Sequence, residues 1–232
     1  FNKVQKATEG HVVFNLDVTA GRRMGYFYFL EYGNLFMENR YTDWGNYYPH
    51  HTLRNLWMLS KYIPAEKIQV EFLNKWRNTN KYQQNDPLAP LNIPFEYQVA
   101  STFAGQPLAW TEVSQLPEEA FGIQDLLKSY KDIQRDFHSG LIMPIGQEPN
   151  GLNWSGFQSV GDKKGYVLIF RAYSDHVDKK IKTHLPASTS VVFKAEFGNG
   201  KSFEAKTDKE GFIEFSLPEP FSFGMFSYEV LD

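Results

Sequence analysis

Hydrophobic and polar positions along the chain change period once, and the change divides it in two. In the first part, the run His11–Val18 (HVVFNLDV) is rich in β-branched and aromatic residues and reads as a strand. It ends in Asp17, Thr19 and the turn Ala20-Gly21-Arg22-Arg23. Leu35–Met37 is a second short apolar run. Leu53, Leu56, Trp57 and Ser60 then recur at helical spacing, which predicts a helix from about His50 to Tyr62, stopped by Pro64. A further helix is expected over Pro64–Arg77, with proline in its first turn and Glu71 and Lys75 as a supporting i,i+4 pair. Asn78–Pro94 reads as loop, and Phe95–Phe103 and Leu108–Val113 as short apolar segments of either type. Asp125–His138 carries the clearest helical stripe: Leu126, Tyr130, Ile133 and Phe137, with Gly140 as an expected C-terminal cap.

From Asn153 the pattern alternates with period two. Gly156–Val160, Gly165–Tyr173, Ser190–Phe197, Lys201–Thr207 and Phe212–Leu217 are separated by turn sequences such as Gly161-Asp162-Lys163-Lys164 and Gly198-Asn199-Gly200. Short antiparallel strands at that spacing imply a β-sandwich of about seven strands. Pro144, Gly146, Pro149 and Gly151 cluster in Ile142–Leu152, so the boundary is placed there, giving regions 1–145 and 146–232.

Composition narrows the possible functions. With 232 residues the chain can bury a substantial core, and a net charge of -3 without long Lys/Arg runs argues against a nucleic-acid partner. No apolar run approaches the ~20 residues of a membrane span. The lack of cysteine excludes disulfides, thiolate metal sites and cysteine nucleophiles, while leaving the compartment open. The first residue is Phe1, from which either a removed targeting segment or a piece of a longer chain is expected. A secreted or periplasmic location is favoured over a cytoplasmic one.

Candidate chemistry concentrates in Gly25–Leu59, where Glu38-Asn39-Arg40-Tyr41 follows the apolar run Leu35–Met37 and precedes Trp44, Tyr47, Tyr48, His50 and His51. In a β/α protein, polar groups just beyond a strand's carboxyl end are where catalysis is placed. Aromatic planes beside hydrogen-bonding groups suit sugars. Glu38 is the catalytic candidate, because a carboxylate among Tyr41, Trp44 and Tyr48 is partly desolvated and its pKa is raised toward general-acid service. The alternative is an ion pair with Arg40. Arg22, Arg23 and Arg40 can hold sugar hydroxyls or a carboxylate in bidentate fashion, or simply neutralise a structural acid, and Asp17 has the same two readings. His50 and His51 are adjacent, without the spacing of a metal pair, so helix-start or substrate contacts are expected and no metal or cofactor. Trp110-Thr111-Glu112 also has a strand-end look, with less aromatic company, and is read as structural. No G-x-S-x-G elbow, glycine-rich phosphate loop or H-E-x-x-H occurs.

The order Asp17-Val18-Thr19-Ala20-Gly21-Arg22, then Met37-Glu38-Asn39, then a long helix, resembles the later half of the catalytic barrel of α-galactosidase-like (melibiase-type, clan D) glycoside hydrolases. Helix Asp125–His138 leading into Ser139-Gly140-Leu141 is similar to the family's last barrel helix, and Trp154–Phe170 to the opening hairpin of its C-terminal β-domain. The resemblance implies a fold class of α/β plus all-β: the C-terminal half of a (β/α)₈ barrel followed by an antiparallel β-sandwich. It further implies that His11–Val18 and Leu35–Met37 stand for barrel strands five and six, with Glu38 in the slot of the acid/base aspartate. Glutamate there departs from the family pattern, as do Arg40 and Tyr41. Asp17, Arg22, Arg23, Arg40, Tyr41, Trp44 and His50 would line the sugar site. The nucleophile strand has no counterpart before Phe1. The chain alone is therefore expected to be inactive, acting on an oligosaccharide or glycoside only with a missing N-terminal barrel half, or else pairing with a second copy. The competing reading is a non-catalytic carbohydrate-binding or scaffold protein of the same fold.

Overall fold

The computed structural model describes residues 1–17, 30–37, 47–110 and 116–231. Four strands, β1 (Phe14–Asp17), β2 (Gly33–Met37), β3 (Ile68–Leu73) and β4 (Gln106–Trp110), form one parallel sheet in the order β1-β2-β3-β4. Parallel neighbours need long crossovers. Helix α1 (Asn2–Ala7) precedes β1. Helix α2 (Pro49–Leu59) lies between β2 and β3, α3 (Phe95–Ala100) between β3 and β4, and α4 (Gln124–Phe137) after β4.

The helix expected over Pro64–Arg77 does not form. A single 3₁₀ turn at Ala65–Lys67 leads directly into β3. In the sequence IQVEFL every residue but the half-buried Gln69 is buried, and a strand covered on both faces reads as a continuous apolar run that periodicity cannot separate from a helix. Ile68, Val70 and Phe72 point to the helix side, where with Leu35 they pack against Leu53, Leu56 and Trp57 of α2 and against Tyr97, Val99 and Phe103. The Glu71–Lys75 pair is lost with the helix. Glu71 is fully buried in the strand, whereas Lys75 Nζ donates to Ile93 O at 2.7 Å.

Helix α4 matches its expected span to one residue, with Tyr130 and Phe137 buried and the ring of Tyr130 stacked on Phe103 at 3.9 Å. It closes at His138 in a right-handed conformation, so Gly140 is not its cap. Gly140 serves close approach instead: a Cβ there would fall 2.3 Å from Ser159 Oγ.

After α4 the described chain is all strand: β5 (Leu141–Gly146), β6 (Trp154–Val160), β7 (Lys164–Arg171), β8 (Asp178–Lys182), β9 (Ser190–Gly198), β10 (Phe203–Lys206), β11 (Phe212–Ser216) and β12 (Ser222–Val230). Six of them form an antiparallel sheet in the order β10-β9-β12-β7-β6-β5, and β8 pairs with β11 in a separate ribbon. The two faces of the large sheet bury different sets. Phe157, Leu168, Phe170, Phe223 and Met225 join the core beneath α3 and α4. Val167, Ile169, Phe193, Phe226 and Tyr228 face Ile181, Ile213 and Phe215 of the ribbon. Strands β5, β8 and β12 go beyond the expected set. Pro144 sits in β5, which is the sheet's edge, where a missing N–H is tolerated. Lysines dominate β8, leaving Ile181 as its single fully buried residue. The chain is thus a mixed α/β structure made mostly of β-sheet.

Candidate functional site

A parallel register places the carboxyl ends of all four strands, at Asp17, Met37, Leu73 and Trp110, on one edge of the sheet. Catalytic groups in β/α proteins gather on that edge. Glu38 follows Met37 directly in sequence. Glu38, Arg40, Tyr41 and Trp44 lie outside the described residues, as do Arg22, Arg23, Thr111 and Glu112, and Asp17 is described by its backbone alone. Of the expected site residues, His50 is the one whose surroundings can be given in full.

His50 is the second residue of α2, whose first residue, Pro49, has a fixed φ suited to a helix start. Its ring lies 4.5 Å from that of His51 and 5.5 Å from that of Tyr48, which packs edge-on against Tyr82 at 5.6 Å. Two hydrogen bonds tie this aromatic group to the segment after β3. Tyr48 Oη donates to Asp86 Oδ2 at 2.9 Å, and Tyr82 Oη donates to the Tyr47 carbonyl at 2.9 Å. The other carboxylate oxygen of Asp86 accepts from Leu88 N at 2.9 Å. On its far side His50 meets the β5–β6 loop. Gly151, at φ +85°, approaches so closely that a Cβ would sit 3.0 Å from His50 Nδ1. The cleft there has a volume of about 430 Å³ and is edged by Arg54, Glu148, Asn150 and Asn153, with Arg54 Nε donating to Glu148.

Desolvation dominates the electrostatics. Burial, with help from the His51 and Arg54 charges, lowers the His50 pKa from 6.5 to about 4, and burial with Arg54 also lowers that of His51. Both imidazoles are neutral near pH 7 and offer hydrogen bonds rather than charge. Among the described residues no three His, Cys, Asp or Glu side chains are placed to hold a metal, and no helix is long and apolar enough to cross a membrane.

Deeper in the same region, Tyr47 is fully buried within the field of the Glu71 carboxylate, and its hydroxyl has no hydrogen-bond partner among the described residues. Burial raises its pKa. Thr52 Oγ1 reaches the Glu71 carbonyl at 3.5 Å. Glu71 lies on the sheet face opposite the helices, the face on which Asn15 Nδ2 donates to Gln69 Oε1 at 2.6 Å across β2. Glu71, Tyr82 and Asp86 were not among the expected residues. Only Glu71 left a signal, a charge inside the apolar run Ile68–Leu73.

Comparison with solved structures finds this architecture elsewhere. A GH36 α-galactosidase from Geobacillus stearothermophilus, AgaA, in a variant complexed with raffinose, superposes with a TM-score of 0.67 at 12% identity, covering 99% of this chain and 30% of that one. The chain has the fold of a GH36 α-galactosidase segment. A second GH36 α-galactosidase of the same organism, AgaB, matches with a TM-score of 0.66 at 14% identity and the same coverage. An α-amylase from Anoxybacillus matches with a TM-score of 0.55 at 12% identity, over 100% of this chain and 55% of that one. The chain spans about a third of the length of these α-galactosidases, in keeping with a C-terminal part of such a protein. No protein-family model matches the sequence, and no curated protein does.

Proposed function

We propose that the chain is the C-terminal part of a glycoside hydrolase that acts on α-linked sugars, α-galactosides foremost, by a retaining two-carboxylate mechanism. The observation that carries this reading is the parallel sheet with all its carboxyl ends on one edge and Glu38 next in sequence to the end of β2, within a fold shared with α-galactosidases. In this reading β1–β4 are half of a (β/α)₈ barrel, and the antiparallel strands form a β-sandwich behind it. The two regions are 1–145 and 146–232, with β5 running across their join.

Retention requires two carboxylates ~5–5.5 Å apart, one forming the glycosyl-enzyme and the other acting in turn as acid and base. Glu38 takes the second role, protonating the glycosidic oxygen as the bond breaks and later deprotonating water. The nucleophile comes from the missing barrel half. Asp17, Arg22, Arg23, Arg40, Tyr41 and Trp44 bind the sugar. His50, kept neutral, contacts it as a hydrogen-bonding imidazole. Among the described residues the sheet ends at β1 and β4, whose outer edges the missing half, or a second copy of the chain, would cover.

The test uses the full-length parent protein with Glu38→Gln, assayed on aryl α-galactosides and aryl α-glucosides, since the fold is shared with an α-amylase as well. General acid catalysis is worth about 10²–10⁴. The variant should lose at least ~10²-fold in kcat on poor leaving groups and less on good ones. Equal rates for wild type and variant on both classes would remove Glu38 from the mechanism.

A further inference from the structure

A cleft of about 820 Å³ lies on the antiparallel sheet, among residues that take no part in the strand-end site. That volume falls within the range of small-ligand sites. Its floor is one cross-strand row. Ser159 of β6 pairs with Tyr166 of β7, Tyr166 with Ser227 of β12, and Ser227 with Lys194 of β9. Directly paired residues project to the same side. The next row inward on that side, Phe157, Leu168, Met225 and Phe197, packs into the core beneath the helices. The face therefore turns from apolar to polar where the sheet emerges past the end of α4, and Asp136 and Gly140 make the wall there.

Most of the row is already committed. Ser159 Oγ donates to Phe137 O at 2.6 Å, Ser227 Oγ donates to Glu196 Oε1 at 2.6 Å, and Lys194 Nζ pairs with Glu196 at 3.3 Å. Tyr166 is different. It is half-buried, with its ring edge-on to Phe137 at 6.0 Å, and its hydroxyl has no hydrogen-bond partner among the described residues. Asp136, exposed on the wall, likewise has no hydrogen bond or ion pair to its carboxylate among the described residues. Both residues line the same cleft, and burial, with the carboxylates of Asp136 and Glu196, raises the Tyr166 pKa.

An aromatic face with a free hydroxyl, an uncommitted carboxylate and a nearby ammonium form a mixed set. The charged groups lining the cleft, Asp136, Asp162 and Glu229 against Lys164 and Lys194, nearly balance. A phosphate or other anion would meet an excess of carboxylates. A hydrophobic ligand would meet polar groups it cannot satisfy. A neutral polyol with one apolar face satisfies the set: its C–H face lies on the ring and its hydroxyls donate to Asp136 and accept from Tyr166 and Lys194.

We propose that this cleft is a second carbohydrate-binding site, separate from the strand-end edge, which takes one or two pyranose units of an oligosaccharide against Tyr166. The site needs neither Glu38 nor turnover, so the inference stands or falls apart from the catalytic reading.

The test is a titration of the ¹⁵N-labelled chain with raffinose and, separately, maltotriose, followed by amide shifts. For so open a cleft, affinity of about millimolar is expected. Saturable shifts should cluster at Ser159, Tyr166, Lys194 and Ser227. Tyr166→Ala should weaken binding by ~10-fold or more, the equivalent of about 1.4 kcal/mol. Tyr166→Phe, which keeps the packing against Phe137, and Asp136→Asn should each weaken it by less. Tyr62→Ala, at a highly exposed tyrosine elsewhere, should leave it unchanged. Shifts confined to the strand-end region, no saturation with either sugar, or the same affinity in Tyr166→Phe, Asp136→Asn and wild type would overturn the proposal.

Discussion

Acid should weaken this fold through its neutral histidines, and His50 gives the sharpest test. An unfolded histidine takes up a proton near pH 6.5, whereas folded His50 resists until about pH 4, held neutral by burial and by His51 and Arg54, against the opposing pull of Asp86. Between those values the unfolded chain binds more protons than the folded one, so stability is full above pH 6.5 and drains away as pH falls toward 4. The ceiling on the loss is about 3 kcal/mol, at ~1.36 kcal/mol per pKa unit. His50 is only partly buried, and solvent screening brings the expected figure to about 1–2 kcal/mol. His50→Gln keeps a polar group in the cleft and cannot titrate. Urea unfolding of both proteins at about pH 7.5 and about pH 4.5, read by tryptophan fluorescence, isolates the contribution. Wild type should lose about 1–2 kcal/mol more than the variant between the two conditions. Equal losses would mean that His50 titrates normally in the fold, and that its enclosure by Tyr48, His51 and Gly151 is looser than described.

Three packing predictions concern different links in the fold. Trp57→Phe removes the buried indole N–H that donates to the Ile145 carbonyl at 3.0 Å, at a cost of about 0.5–1.5 kcal/mol in denaturant midpoint analysis. Phe103→Ala empties the stack against Tyr130 and should cost about 3–5 kcal/mol, enough to leave much of the protein unfolded at moderate temperature in a circular-dichroism melt. Gly156→Ala places a Cβ 2.3 Å from the Leu168 carbonyl oxygen, so the β6–β7 pair must part; a loss of at least about 1–3 kcal/mol is expected, and unchanged thermal stability would contradict the register.

How much of this was legible depended on whether the deciding information was local. Helix α4 was readable because its apolar stripe and its length are both properties of one segment. The β6–β7 hairpin was readable because Gly161 and the lysines after it mark a turn between alternating runs. Strand β3 was not, since its burial on two faces comes from parts of the chain distant in sequence, α2 among them, and nothing in IQVEFL records it. Strand β5 was masked by Pro144, which only an edge position makes harmless. At the site, His50 was legible as a helix-start residue, and its neutrality was not, because it comes from burial. Asp86 was not, because its link to Tyr48 spans 38 positions and exists only once β2 and β3 lie side by side.

The core that begins at Leu35 in β2 runs without interruption through α2, α3 and α4 to Phe170 and Met225 in the large antiparallel sheet. The visible change of architecture after α4 is therefore a seam in topology and not in cohesion. A protease or a gene fusion that parted the chain there would split a single packed interior and bare apolar surface on both products. Neither piece would inherit a finished core, and the parallel and antiparallel parts should be gained and lost together, in folding, in degradation and in any evolutionary shuffling of the chain.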